Sequence, residues 1–125
     1  MNKKTILIIE DEDPLLEALS DHLNREGFMV KVSDGGEEGL RLAMSTHPDL
    51  ILLDLIMPDL GGIGVLTQLR RTEWGKLVPV IILTNLNSSH KEAAASELGV
   101  VGYYIKSKLR LEDLVIKIRS ELSMA

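Results

Sequence analysis

Apolar residues follow two alternating rhythms along this chain. Continuous runs at residues 6–9 (ILII), 50–53 (LILL), 78–83 (VPVIIL) and 100–105 (VVGYYI) have the length of strands covered on both faces. A shorter run at 29–32 predicts one more strand between the first two. Between the runs, apolar positions recur every three or four residues. Leu15, Leu16, Leu19 and Leu23 predict a helix that stops at Gly27, with Asp13 as its N-cap and Pro14 in its first turn. Leu40, Ala43 and Met44 share one face of a predicted helix over 36–46. Val65, Leu66 and Leu69 mark another after the Gly61-Gly62 loop. Ser88 or Ser89 caps an alanine-rich helix over 90–98, and Leu111, Leu114, Val115, Ile118 and Leu122 form a last amphipathic helix.

Strand and helix thus alternate five times. Right-handed crossovers then give a parallel sheet with helices on both faces. No linker or low-complexity stretch interrupts the pattern, so one domain over residues 1–125 is expected.

The strand ends carry the chemistry. The first run closes on Glu10 and Asp11, the third on Asp54, the fourth on Thr84 and the fifth on Lys106. A parallel sheet aligns these ends along one edge, where they would meet in a single cleft. An acid pair, a lone aspartate, a hydroxyl and a lysine suit a hard divalent cation and phosphoryl transfer onto a carboxylate. Each has an ordinary structural reading as well. Acid pairs occur at solvated strand ends, an aspartate often starts a turn before a proline such as Pro58, and threonine favours strands. The agreement of all these strand ends favours the chemical reading.

Composition narrows the classes. The length of 125 residues allows a sizeable core, and an aromatic content of 3% makes that core aliphatic. The net charge of −5 gives no electrostatic basis for direct nucleic-acid contact. With no cysteine, a disulfide framework and thiolate metal sites are excluded, which is compatible with a cytoplasmic location. The N-terminal apolar run is broken at once by acids, unlike a signal peptide, and no run approaches membrane length.

ILIIEDED, LLDLIMPDLGG, ILTN and GYYIKS, in that order on successive strand ends, resemble the response regulator receiver domain of bacterial two-component systems along the whole chain. The resemblance implies a flavodoxin-like, doubly wound five-stranded sheet of order 2-1-3-4-5. It implies a phosphoacceptor at Asp54 and a magnesium ion held by Asp11, by Glu10 through water, by Asp54 and by the backbone carbonyl of Ile56. Lys106 would hold a phosphate oxygen. Thr84 would move inward on phosphorylation and let Tyr103, three residues before the lysine, rotate inward. The implied partners are a sensor histidine kinase or phosphotransfer protein and a downstream protein or output domain, with a phosphorylation-dependent dimer also within the family's range. Activity would be limited to self-phosphorylation from a donor and slow self-dephosphorylation. The side chains flanking a hydrolytic water would come from Ile56 and Leu86.

The chain departs from the family pattern at three places. Ser107 follows the lysine where proline is usual, Asn85 follows the threonine where a small residue is common, and Gly61 replaces an acid or amide before Gly62. None removes a catalytic group. A magnesium-dependent aspartyl-phosphate phosphatase is the competing class. It would need a second acid two residues past Asp54, where Ile56 stands, and a cap domain. His22, His47 and His90 have no ligand spacing and read as surface residues. Trp74 reads as a packing residue near the sheet's far edge, and Arg70, Arg71 and Lys76 as a solvated rim.

Overall fold

The computed structural model describes residues 3–57, 59–85 and 89–123. In chain order it contains β1 (Thr5–Ile9), α1 (Asp13–Arg25), β2 (Met29–Ser33), α2 (Gly36–Thr46), β3 (Leu50–Leu53) and α3 (Gly62–Arg70). These are followed by β4 (Val80–Thr84), α4 (Ser89–Glu97), β5 (Gly102–Ile105), a 3₁₀ turn over Lys106–Lys108, and α5 (Leu111–Glu121). All strand pairs are parallel, in the order β2-β1-β3-β4-β5. This is the doubly wound topology expected from the alternation of runs.

Alternate residues of the central strands feed two aliphatic layers. Leu7, Ile9, Ile51, Leu53, Val80 and Ile82 pack with Ala43 of α2, Val65, Leu66 and Leu69 of α3 and Ala95 of α4. Ile6, Ile8, Leu50, Leu52, Ile81 and Leu83 pack with Leu19 and Leu23 of α1 and Leu114, Val115 and Ile118 of α5. The strand residues are at most 2% exposed, which explains why the runs lack polar alternation.

Several boundaries differ from those predicted, for local reasons. The N-cap of α1 is Glu12, not Asp13, and it makes no side-chain cap bond. The Glu12 amide instead donates to the Glu10 carboxylate at 3.0 Å, which turns the chain into the helix one residue early. β4 begins at Val80 because Pro79 has no N–H for the ladder, although its carbonyl accepts from Ile51 at 3.0 Å. β5 begins at Gly102 because the Val100 amide turns back to the Ala95 carbonyl at the end of α4. α4 already includes Ser89, while Ser88 lies outside the described residues.

Register places the functional edge. Ile9 pairs with both Ser33 and Leu53, so Glu10 and Asp54 leave the sheet side by side. The Asp54 amide donates to the Ile9 carbonyl at 3.0 Å, and the Glu10 amide donates to Ser33 at 3.0 Å. Thr84 pairs with Ile105, which brings Lys106 one step beyond the edge.

The loop after Asp54 is tied down at both ends. The Gly62 amide donates to the Leu55 carbonyl at 3.0 Å, and a Cβ at Gly62 would collide with the Asp54 carbonyl. Asp59 accepts from the Gly36 and Glu37 amides, at 2.9 and 3.1 Å, and so caps α2 from a distant loop. Arg70 corrects the reading of a solvated rim. Its guanidinium donates to the carbonyls of Leu98, Gly75, Val78 and Gly99, at 2.7, 2.6, 2.8 and 3.3 Å. It therefore binds the end of α4 to the α3–β4 connection. His47 is exposed and Trp74 is a packing residue, as expected, and the two also meet. Their rings stack at 4.4 Å between centroids, with Trp74 packed on the first apolar layer.

Candidate functional site

A cleft of about 230 Å³ opens at the carboxyl edge and is lined by Asp11, Glu12, Asp54, Ile56, Asn85 and Lys106. It lies where the strand order reverses between β1 and β3, the usual ligand position in such sheets. Beneath it, the Lys106 ammonium donates to Glu10 Oε2 at 2.8 Å and Asp54 Oδ2 at 2.9 Å. All three side chains are almost wholly enclosed, at 7%, 2% and 4% exposure for Lys106, Glu10 and Asp54. The other oxygen of Asp54, Oδ1, accepts from the Ile56 amide at 3.2 Å.

One ammonium thus serves more than one buried acid, and the charge balance is unequal. Burial is the largest influence on Glu10 and pushes its carboxyl pKa upward, with help from the Asp54 charge. Hydrogen bonds from Lys106 and the Glu12 amide oppose the rise without cancelling it. For Lys106, burial acts to lower the ammonium pKa, but bonds to Glu10 and Asp54 together with their charges drive it upward. The lysine is over-supplied with negative partners while the glutamate is under-supplied with positive ones.

The donor set fits a hard divalent cation. Glu10, Asp11 and Asp54 each offer an oxygen within 4.8 Å of the others. Glu10 Oε1 is buried with no hydrogen-bond partner among the described residues. Oxygen donors of this kind suit magnesium, and a buried carboxylate oxygen left unpaired is costly unless a cation or its water takes it. Ile56 borders the same cleft.

The structure brings Glu10, Asp11, Asp54, Ile56 and Lys106 together. Thr84 ends β4 fully buried, and it is the adjacent Asn85 that lines the cleft. Tyr103 packs on the layer covered by α3 and α4, whereas Tyr104 packs on the layer of α1 and α5. The two tyrosines thus lie on opposite faces of the sheet. Burial raises the Tyr103 phenol pKa, and the charges of Glu92 and Asp54 add to the rise. Leu86 lies outside the described residues. Sequence reasoning missed Glu12, whose Oε1 reaches within 3.4 Å of Lys106 Nζ. The run of four acids at 10–13 was the only signal for it.

The fold and site are those of a doubly wound parallel α/β domain with an acid cluster and a lysine at its switch point. A family model described as the response regulator receiver domain matches residues 6–119, and the chain belongs to that family. The transcriptional regulatory protein YkoG of Bacillus subtilis, itself uncharacterized, is 36% identical over 122 residues, covering 98% of this chain and 52% of YkoG. The alkaline phosphatase synthesis transcriptional regulatory protein PhoP of the same organism is 38% identical over 106 residues, covering 85% of this chain and 43% of PhoP. The chain spans about half the length of these curated relatives. Among solved structures, a CheY-like receiver domain protein of Methanospirillum hungatei superposes with a TM-score of 0.91 at 25% identity, covering 98% and 95% of the two chains. The receiver domain of Francisella response regulator 1452 superposes with a TM-score of 0.88 at 26% identity, covering 97% and 98%.

Proposed function

We propose that this receiver domain is a phosphoacceptor switch in which Asp54 takes a phosphoryl group from the phosphohistidine of a sensor kinase or phosphotransfer protein. The observation that carries the reading is the convergence of Lys106 on Glu10 and Asp54 beside a cleft that Asp11 also lines. An Asp54 carboxylate oxygen forms the new P–O bond as the donor P–N bond breaks, and the electron pair stays on the imidazole nitrogen. Both Asp54 oxygens have partners in the resting structure, so one contact is exchanged as the bond forms.

Magnesium, held by Asp11, Glu10, Asp54 and the Ile56 carbonyl, would supply positive charge against the incoming phosphoryl oxygens. Lys106, already fixed between two acids, is placed to pass its ammonium to a phosphoryl oxygen as a point charge. Thr84 and Tyr103 then carry the change outward. The Thr84 hydroxyl turns toward the phosphoryl group, and Tyr103, on the α4 side of the sheet, moves into the space released.

The surface of α4, β5 and α5 would be read by a downstream protein or an output domain, or by a second phosphorylated copy. The relatives' names specify transcriptional regulation, and control of transcription through an output domain is the reading we extend to the whole protein. The acidic domain itself is read as not touching nucleic acid, with a net charge of −5, and as acting in the cytoplasm. No helix among the described residues is long and apolar enough to cross a membrane.

A small-molecule phosphatase is disfavoured because the position two past Asp54 is an exposed isoleucine, not a general acid. Intact-mass analysis with acetyl phosphate and magnesium tests the reading. A gain of one phosphate that disappears in Asp54→Asn is expected, and a gain that persists in that variant would refute it.

A further inference from the structure

Glu12 occupies the N-cap of α1, yet its side chain does not cap the helix. It reaches across the cleft instead, where Oε1 lies 3.4 Å from Lys106 Nζ. Its situation differs from that of the other two acids on the lysine. Glu10 and Asp54 are enclosed and bind at 2.8 and 2.9 Å, whereas the Glu12 side chain is 55% exposed and its contact is the longest. An ammonium has three donors, and in the resting state each faces a carboxylate. A phosphoryl group arriving on Asp54 must displace one of them. Glu12 is the one with water to retreat into, so its contact is the one that breaks most readily. Until it breaks, its negative charge stands at the mouth of a small cleft that an anionic donor has to enter. Because Glu12 is 55% exposed, this repulsion is modest and sensitive to salt.

We infer that Glu12 is a specificity-determining residue, a charge gate that slows entry of small anionic phosphoryl donors and competes with the phosphoryl group for Lys106. The inference rests on the phosphoacceptor reading and refines it. Gln is isosteric, keeps the Glu12 amide that bonds Glu10, and removes only the charge. Lys at the same position reverses the charge.

The test measures acetyl phosphate phosphorylation by intact mass in the wild type, Glu12→Gln and Glu12→Lys, each at saturating magnesium and at low and high ionic strength. At low ionic strength the rate should rise about two- to fivefold in Glu12→Gln and further in Glu12→Lys. At about 0.5 M salt the differences should shrink, because exposed charges are screened over a few ångströms there. Equal rates in the three proteins would overturn the gate while leaving the acceptor reading intact. So would a difference that salt does not reduce, since a charge gating entry at an exposed cleft mouth acts through solvent and must be screened. Absence of phosphorylation in the wild type would overturn both.

Discussion

Lys106 Nζ lies 2.8 Å from Glu10 Oε2 although 96 residues separate them in the chain. The contact is set by sheet register, with Lys106 following the Thr84–Ile105 pair and Glu10 following Ile9. Because the ammonium sits at a strand end, Lys106→Ala is expected to fold. Its melting temperature should fall, because Glu10 and Asp54 lose their shared cation while remaining buried. It should also convey phosphorylation poorly, since the phosphoryl group loses a fixed positive partner. Backbone amide signals of β4 and β5 that shift normally on phosphorylation of the variant would contradict this.

Magnesium should bind weakly without phosphate, and Asp11→Ala should lose both that binding and phosphorylation. Asp11 is the exposed member of the acid cluster, so its removal costs the fold little. Calorimetric titration is the check. Unchanged magnesium affinity in Asp11→Ala would remove it from the ligand set.

The acid cluster also predicts an unusual pH response in the metal-free protein. The Glu10 carboxyl is raised above its ordinary value of 4.5, first by burial, so the folded state binds its proton more tightly than the unfolded chain. Stability from this group is therefore gained as pH falls through the raised value, is complete below about 4.5, and is lost as pH rises again. Asp59 and Glu112 are shifted downward by hydrogen bonds to backbone amides and have the opposite sign, so their contribution is lost only below their ordinary values of 3.8 and 4.5. In chelator, the melting temperature should rise modestly between neutral pH and about 4.5. Glu10→Gln or saturating magnesium should flatten that rise. A profile identical in the wild type and Glu10→Gln would exclude Glu10 as its source.

The strand ends were legible in the sequence because a parallel sheet converts chain order into spatial order. With the runs at 6–9, 50–53, 78–83 and 100–105 as parallel strands of one sheet, Glu10, Asp54, Thr84 and Lys106 all fall on the same edge. The choice of Tyr103 over Tyr104 comes from its place three residues before the lysine in the family pattern, and the two tyrosines lie on opposite faces because side chains alternate along β5. The contacts of Glu12, Asp59 and Arg70 were not legible. Each joins a loop or helix end to a remote backbone or side chain, and no periodicity specifies where a loop side chain turns. Glu12 carried an additional false cue, since Asp13-Pro14 looks like a cap and first turn. The bond from the Glu12 amide to Glu10 moves that cap back by one residue.

Arg70 offers a test of one such contact away from the cleft. Its fork serves four carbonyls from two connections, a geometry that a lysine ammonium cannot reproduce. Arg70→Lys is expected to lose about 2–3 kcal/mol of stability, since partly buried carbonyls lose a charged donor. Its phosphorylation rate should stay close to the wild type. Denaturant unfolding measures the first expectation, and an unchanged midpoint would mean that the clamp is replaceable.

The final expectation concerns how long the phosphorylated state lasts. Hydrolysis of a phospho-aspartate needs a water in line with the departing Asp54 oxygen. Ile56 borders the cleft, its amide held on Asp54 Oδ1 at 3.2 Å and its side chain 56% exposed at the rim. An isoleucine there cannot hold a water by hydrogen bond, and its bulk shields the phosphorus from approach. A polar side chain at that point could orient the attacking water, as positioning residues do in other phosphoryl-transfer sites. Slow self-dephosphorylation is therefore expected, suited to a lasting output. Because Ile56 is half exposed, substitution should leave the fold unchanged and act on the rate alone. Loss of label from purified phosphoprotein should accelerate in Ile56→Asn or Ile56→Glu. No acceleration in either variant, or a wild-type half-life of seconds, would show that this side chain does not control the lifetime.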